Sequence, residues 1–379
     1  MSTGNGRDRL SNLTAQEAVG GILLLGIGIL ALDLIRLILL NELPFGRLLS
    51  YTWNGIVDSL YIGLAAIGLS MTYSILRFAN FSHGDLITTG AFSGWTVAYL
   101  IGGIGVADLS SRLLLRADGG AQPGAVGMDV LSAPLTIVLG LIVAALVTIL
   151  VALLIDRLVY RRLRDAGGIP LLIASVGVAL ALRYLIAFVY TTDTRIVVAS
   201  PPQPELAELV AIVGLELPAF LAERTINLHE ATLVISALAL IVGVHLLLQY
   251  TKLGKSMRAM SDNKDLALIT GIPTERVIFA TWVIGSGLAG VAGYLIVLDR
   301  GQITINLGWF LLLLIFAAVI LGGIGSIYGA LAGSLVIGLT INLSLVWIPS
   351  DLNEIAAFTL MIIVLIFRPD GLFSGVETA

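Results

Sequence analysis

An all-α, polytopic membrane protein of about ten transmembrane helices is the fold class this sequence predicts, and three observations predict it. Hydrophobic residues make up 58% of the chain and charged residues only 12%, far from the quarter-charged mixture of a water-soluble domain. The apolar residues fall in runs close to the ~20 that a helix needs to cross a hydrocarbon core. Lys and Arg gather in two of the segments between runs, while Asp and Glu gather in the segment between those two, the asymmetry that orients a multi-pass chain.

The first run, 21–40, follows a polar stretch and lacks a small-residue cleavage pattern, so it reads as an uncleaved first span. Asp33 and Arg36 lie three residues apart on one face of it, where pairing offsets their cost in lipid. Residues 55–76 and 86–103 form the next two spans, with hardly any loop between them. Runs at 134–155 and 171–190 follow. Arg183 stands inside the second of these, near its outer end, where its long side chain is expected to snorkel to the headgroups rather than enter a substrate path. The spans 231–250, 277–298 and 329–348 are of full length, whereas 309–323 and 355–367 are short enough to be re-entrant or uneven. His245 and Asn342 within them are expected to be packed polar residues.

The connection 156–169 carries Arg157, Arg161, Arg162 and Arg164, and 251–276 carries Lys252, Lys255, Arg258, Lys264 and Arg276, so both are expected in the cytoplasm. Segment 191–230 holds Asp193, Glu205, Glu208, Glu216, Glu223 and Glu230 against Arg195 and Arg224, and is expected outside. Counting spans from these anchors puts both termini in the cytoplasm, in agreement with Arg7, Arg9 and Arg368.

Composition also narrows function. A formal net charge of −4, thinly spread, gives no basic field for nucleic acid, and the chain has no cysteine for a disulfide, a thiolate metal site or a nucleophile. Three scattered histidines make no metal cluster. Gly285-Ser286-Gly287-Leu288-Ala289-Gly290 satisfies the GxGxxG dinucleotide pattern, yet it lies inside an apolar span with no acidic residue about 20 positions on. Its residues Ser286, Ala289 and Gly290, with Gly293, instead form a flat stripe for close helix approach. Leu253-Gly254-Lys255-Ser256 resembles the end of a phosphate loop, but Gln249 takes the place of the first glycine and a span, not a strand, precedes it. No cofactor is expected on this chain, and none of these patterns performs covalent chemistry.

Two polar stretches remain. Asn80, Phe81, Ser82, His83, Gly84 and Asp85 concentrate polarity between two spans, where lipid exposure is costly. They are expected to face protein or an aqueous path, with Asn80, Ser82 and Asp85 bonding the backbone of a short break and His83 both donating and accepting. A tight cytoplasmic turn capped by Ser82 and Asp85 explains the same residues. Segment 251–276 mixes charged residues with Leu253, Met257, Met260, Leu266 and Ile269 at spacings that give short amphipathic helices, punctuated by Gly254 and Gly271.

Four blocks in order resemble the branched-chain amino-acid ABC permease family, of the high-affinity leucine, isoleucine and valine uptake type. The run 63–69 leads into Asn80-Phe81-Ser82-His83-Gly84-Asp85, similar to that family's Asn-Phe-Ala-His-Gly-Glu, with Ser82 for Ala and Asp85 for Glu. Gly254, Lys255, Arg258, Asp262, Asn263 and Gly271 form a second block, running into the small-residue helix. The others are Val319 to Ser326, with Gly322, Gly323 and Gly325, and Phe367-Arg368-Pro369-Asp370-Gly371-Leu372. The resemblance covers roughly 50–375, making 1–50 an extension with an extra span and 51–379 the permease domain. It implies the ABC importer permease fold, a multi-pass place in the cell membrane, and the first of two paired permease types. It implies as partners a second permease, two ABC ATPases that carry ATP and Mg, and an external binding protein. In such importers, the 251–276 stretch docks on the ATPase, and Gly322, Gly323 and Gly325 are expected to serve helix packing. Related systems carry urea or short amides. A secondary transporter driven by an ion gradient is the rival class, with Asp33, Asp58 and Asp85 as its candidate coupling carboxylates.

Overall fold

Residues 28–102, 133–196 and 227–372, with the isolated positions 25, 26, 104 and 203, are described by the structure, a computed structural model. The polar terminus 1–20, the start of the first span, most of the 103–130 loop and most of the acidic 191–230 segment lie outside the described residues. The helices are α1 over 28–39, α2 Phe45–Leu76, α3 Ser82–Gly102, α4 Pro134–Ile155, α5 Gly168–Tyr190, α6 Leu228–Tyr250, α7 Lys252–Asp262, α8 Lys264–Ile269, α9 Thr274–Arg300, α10 Leu307–Gly322, α11 Ile327–Leu343 and α12 Asn353–Phe367. Helix α4 continues through a π-helical turn, Asp156–Tyr160, toward Ala166.

Seven helices among the described residues are long and apolar enough to cross a bilayer: α2, α4, α5, α6, α9, α11 and α12 with their short extensions. Helix α3 has the length, at 21 residues, but a polar first turn, and α10 has only 16 residues. Strands β1, Arg195–Ile196, and β2, Gln302–Ile303, pair antiparallel over two residues each, within an otherwise all-α fold. They are the extended backbones that follow α5 and α9, and pairing satisfies their backbone groups.

Helices α2 and α9 form the centre, with 89% of their apolar windows buried, and α4, α5, α6 and α12 surround them with 28% or less buried. The outer faces of that ring carry Ile142, Leu146, Ile173, Phe188, Ile235 and Ile362, as a bilayer solvent requires. Asp33 pairs with Arg36 at 2.8 Å and also accepts from Trp347 Nε1 at 3.0 Å, which fastens α1 to the chain just beyond α11.

Lipid tails are as apolar as leucine, so the bundle is held by close packing rather than hydrophobic exclusion. Small residues make that possible. Gly90 lies against Gly290, and Gly94 against Tyr294, so α3 and α9 run side by side in one direction. A Cβ at Gly293 would strike the carbonyl of Ile87, and one at Gly290 would meet Ala144 and Thr148 of α4. Ser286 and Ala289 are buried on the same helix. Gly322 abuts Gly329 across the α10–α11 turn. Gly323 (φ 105°) ends α10, and Gly371 of the carboxyl-terminal block lies over its backbone, where Leu372 N donates to Leu321 O at 2.8 Å. Gly325 packs more loosely: a Cβ there would lie 3.9 Å from Ser74 and Tyr73 of α2, an ordinary contact, and its φ of +89° makes it a turn residue.

Two helices begin inside the bundle. Gly90 is eight residues into α3 and faces Gly290, sixteen residues into α9, so α3 starts roughly 12 Å deeper than α9 at 1.5 Å per residue. Helix α10 starts against it, with Gly308 packed on Gly84 and its N–H donating to Thr88 Oγ1 at 3.0 Å. Gly308→Ala places a methyl against the Gly84 carbonyl and should lower stability by about 1–3 kcal/mol as an overpacked site. Gly243→Ala, with no atom within 4 Å of the new Cβ, should leave the melting temperature of the purified chain unchanged or slightly raised. Equal melting temperatures for the two variants would contradict this packing.

Candidate functional site

Helix α2 ends at Arg77, whose left-handed backbone (φ 58°) turns the chain back along the helix it has just left. Residues 78–81 then run upward until His83 reaches Ala65 and Gly68, about two to three turns before the end of α2. A broken segment at this depth must find every backbone partner within the protein. Asn80 and Ser175 provide two of them. Asn80 Oδ1 accepts from Ser82 N at 3.1 Å, and Phe81 N donates to Ser175 Oγ of α5 at 3.0 Å.

The other signature side chains bond elsewhere than expected. Ser82 Oγ donates to Asn80 Oδ1 at 2.7 Å and contacts Tyr160 OH at 2.8 Å, and Tyr160 stacks on Trp282 at 5.4 Å. His83 Nε2 lies 2.9 Å from Ala65 O, so that nitrogen carries the proton and donates. Phe81 packs on Phe316 of α10.

Asp85 caps nothing. Its carboxylate, fully buried, takes two parallel hydrogen bonds from Arg183 Nε and Nη2, each 3.1 Å, and the guanidinium lies 4.6 Å from the centre of the Trp309 ring. The snorkelling expected for Arg183 is therefore overturned: its side chain is 13% exposed and points to the junction of α3 and α10. A charged pair in place of two unpaired charges is the arrangement that low dielectric favours. Asp85 also stands in the first turn of α3, where the helix dipole favours a negative charge.

Asp58 and Asn342 meet near the other end of α2. Asn342 Nδ2 donates to Asp58 Oδ2 at 2.7 Å, Tyr61 OH donates to Asp58 Oδ1 at 2.7 Å, and Arg300 donates to Tyr61 OH at 3.0 Å. His245, expected as a packed residue, is exposed on α6 and shares a hydrogen bond of 2.8 Å with Tyr328 OH.

The 251–276 segment forms two short helices just beyond the carboxyl-terminal end of α6. Thr251 Oγ1 accepts from Gly254 N at 3.0 Å and Asn263 Oδ1 accepts from Leu266 N at 2.9 Å, so each helix has its own side-chain cap. Gly254 lies on the last turn of α6, where a Cβ would strike Leu248 O, and Arg258 donates to that same carbonyl at 2.6 Å. Met257, Met260 and Ala267 face inward. Lys255, Asp262 and Asn263 face outward, as do Leu266, Leu268 and Ile269, the last 80% exposed. Gly271, at φ +84°, turns the chain into α9. Arg77 donates to Ser261 O, joining this segment to the break. Arg164 bridges Asp156 at 2.7 Å and Glu275 at 2.9 Å, tying the other basic loop to the start of α9.

The family model for the branched-chain amino acid transport system permease component matches residues 51–365. The chain belongs to this family. It is similar to the high-affinity branched-chain amino acid transport system permease protein LivH of Salmonella typhimurium, at 28% identity over 87% of this chain and 96% of that one. The corresponding permease protein BraD of Pseudomonas aeruginosa is 25% identical over 86% and 95% of the two chains. A probable LivH of Methanocaldococcus jannaschii is 27% identical over 86% and 91%. No solved structure matches. The break and the α7–α8 segment both fall within the stretch matched to the permease family, whereas α1 precedes it.

Sequence reasoning missed Tyr160, Ser175, Thr88 and Trp309 as partners of the signature. It also treated Arg183 and Asp85 apart, although two opposite lone charges in separate spans are themselves a pairing signal. Removing either charge strands the other, so Asp85→Asn and Arg183→Gln should each cost about 3–5 kcal/mol, and the double variant less than either. Thermal melts of the three purified variants test this. Additive losses in the double variant would contradict the pairing.

Proposed function

We propose that this chain is the transmembrane permease subunit of an ATP-driven importer for branched-chain amino acids, of the first of two paired types. The observation that carries the reading is the family match over 51–365, joined to a charged, amphipathic α7–α8 segment that presents Leu266, Leu268 and Ile269 to solvent. On this reading ten helices cross or enter the membrane: the seven long apolar ones, α1, α3 and the short α10. Both termini lie in the cytoplasm of a cell-membrane protein, in line with the basic 156–169 and 251–276 segments. Exposed apolar side chains on a cytoplasmic helix need a cover, and the groove of an ABC ATPase is the cover proposed, with Gly254, Lys255, Arg258, Asp262, Asn263 and Gly271 shaping the coupling segment.

The partners are a second homologous permease, two ATPases and an extracytoplasmic binding protein. ATP and Mg are held on the ATPases, and this chain contributes no catalytic group. Asn80 to Asp85 form the break around which the bundle rocks between its outward and inward states, and the glycine contacts of α3, α9, α10 and α11 keep the moving parts rigid. Proteoliposomes holding the assembled complex, binding protein outside and ATP inside, should take up leucine without any ion gradient. Leu268→Asp should abolish uptake and ATP hydrolysis together. Uptake that needs an imposed pH gradient and ignores ATP would overturn the assignment.

A further inference from the structure

Helices α2, α6 and α11 do not close against α7. Between them lies a small cleft, open on one side. Met71 and Ile75 of α2 and Met257 of α7 give it an apolar wall, and Gln249, Arg258 and Tyr328 stand at its polar side. A second, smaller cleft adjoins it through Leu248, Ile327 and Tyr328, and runs deeper between Ile67, Val244 and Leu331. The combined space is aliphatic at its inner end and polar where it meets the coupling segment.

The polar side has one cation with donors to spare. Arg258 uses Nη1 on Leu248 O, its only protein hydrogen bond among the described residues. A guanidinium with free N–H groups beside an apolar cleft matches a carboxylate in geometry and charge. Tyr328 OH accepts from Gln249 Nε2 at 3.0 Å and shares a second hydrogen bond of 2.8 Å with His245 Nδ1, so three polar side chains meet along the cleft.

We propose that this cleft is a regulatory site for a small aliphatic carboxylate, whose tail fills the space between α2, α6 and α11 while its carboxylate binds Arg258. A ligand seated there touches the transmembrane body and α7 at once. It would hold α7 against the last turn of α6 and slow the movement by which the coupling segment follows the ATPase. The imported amino acid carries this chemistry itself, so product accumulating inside would restrain its own uptake. The slowing of ATP hydrolysis rests on the importer reading, whereas binding to the cleft does not.

The test uses the full chain in lipid nanodiscs with radiolabelled 4-methylpentanoate, competed by leucine, by oleate or by the cation 3-methylbutylamine. Saturable binding is expected, displaced by leucine and not by the amine, and weakened about tenfold in Arg258→Gln, as for one lost charge-assisted contact. Leu266→Asp, which lies outside the cleft, should bind normally. A diazirine analogue of the acid should label peptides within 244–261 and 325–331, a readout that needs no variant. In the assembled complex, 4-methylpentanoate should lower ATP hydrolysis stimulated by the binding protein. Binding without that inhibition would overturn the regulatory role. Non-saturable binding, displacement by oleate alone, or label spread over the outer faces of α4 and α5 would mean partition into lipid and would overturn the site.

Discussion

The structure depends on one constraint: a chain that breaks its helices inside a bilayer must find all its hydrogen-bond and charge partners within itself. Residues 77–81 break α2 from α3, and every later feature of the site answers that break. Asn80 and Ser175 bond the exposed amides, Tyr160 closes over Ser82, and Arg183 reaches from α5 to neutralise Asp85. The pair also explains why α3 and α10 meet at their first turns. Both helix starts carry partial positive charge, which the carboxylate offsets, while Trp309 of α10 covers the guanidinium.

Close packing makes that arrangement mechanically useful. With glycine contacts between α3 and α9, α9 and α4, and α10 and α11, these helices have little room to slide past one another. The two basic segments are tied to the bundle at defined points. Arg164 joins the 156–166 turn to Glu275, and Arg77 and Arg258 join α7 to the end of α2 and to the last turn of α6. The exposed side of α8 is therefore joined to a linked frame, and the cleft beneath α7 lies within that linkage.

Much of this was legible in the sequence, because lipid imposes rules that residues must show openly. Spans appear as apolar runs, and the central helices appear as glycine-rich ones. Asn80 to Asp85 stood out because polarity between two spans demands a reason. What stayed hidden were partners across long separations: nothing local to Arg183 names Asp85, 98 positions away, and nothing in Ser175 points to Phe81. Gly325 read alike with Gly322 and Gly323 because the three are alike in sequence, and only the structure separates the close contact of Gly322 with Gly329 from the looser turn position of Gly325. The two-residue strands escaped because so short a pairing leaves no periodic pattern.

That Arg183 reaches the first turn of α3 within the membrane is the claim on which the rest hangs. The chain has no cysteine, so Asp85→Cys and Arg183→Cys can be combined without background, with a protease site inserted in the 103–130 loop. A short bis-thiol crosslinker, applied to membranes before cleavage, should hold the two fragments together on a non-reducing gel, and either single cysteine should not. Fragments that separate despite labelling of both cysteines would place α5 away from the break and contradict the account.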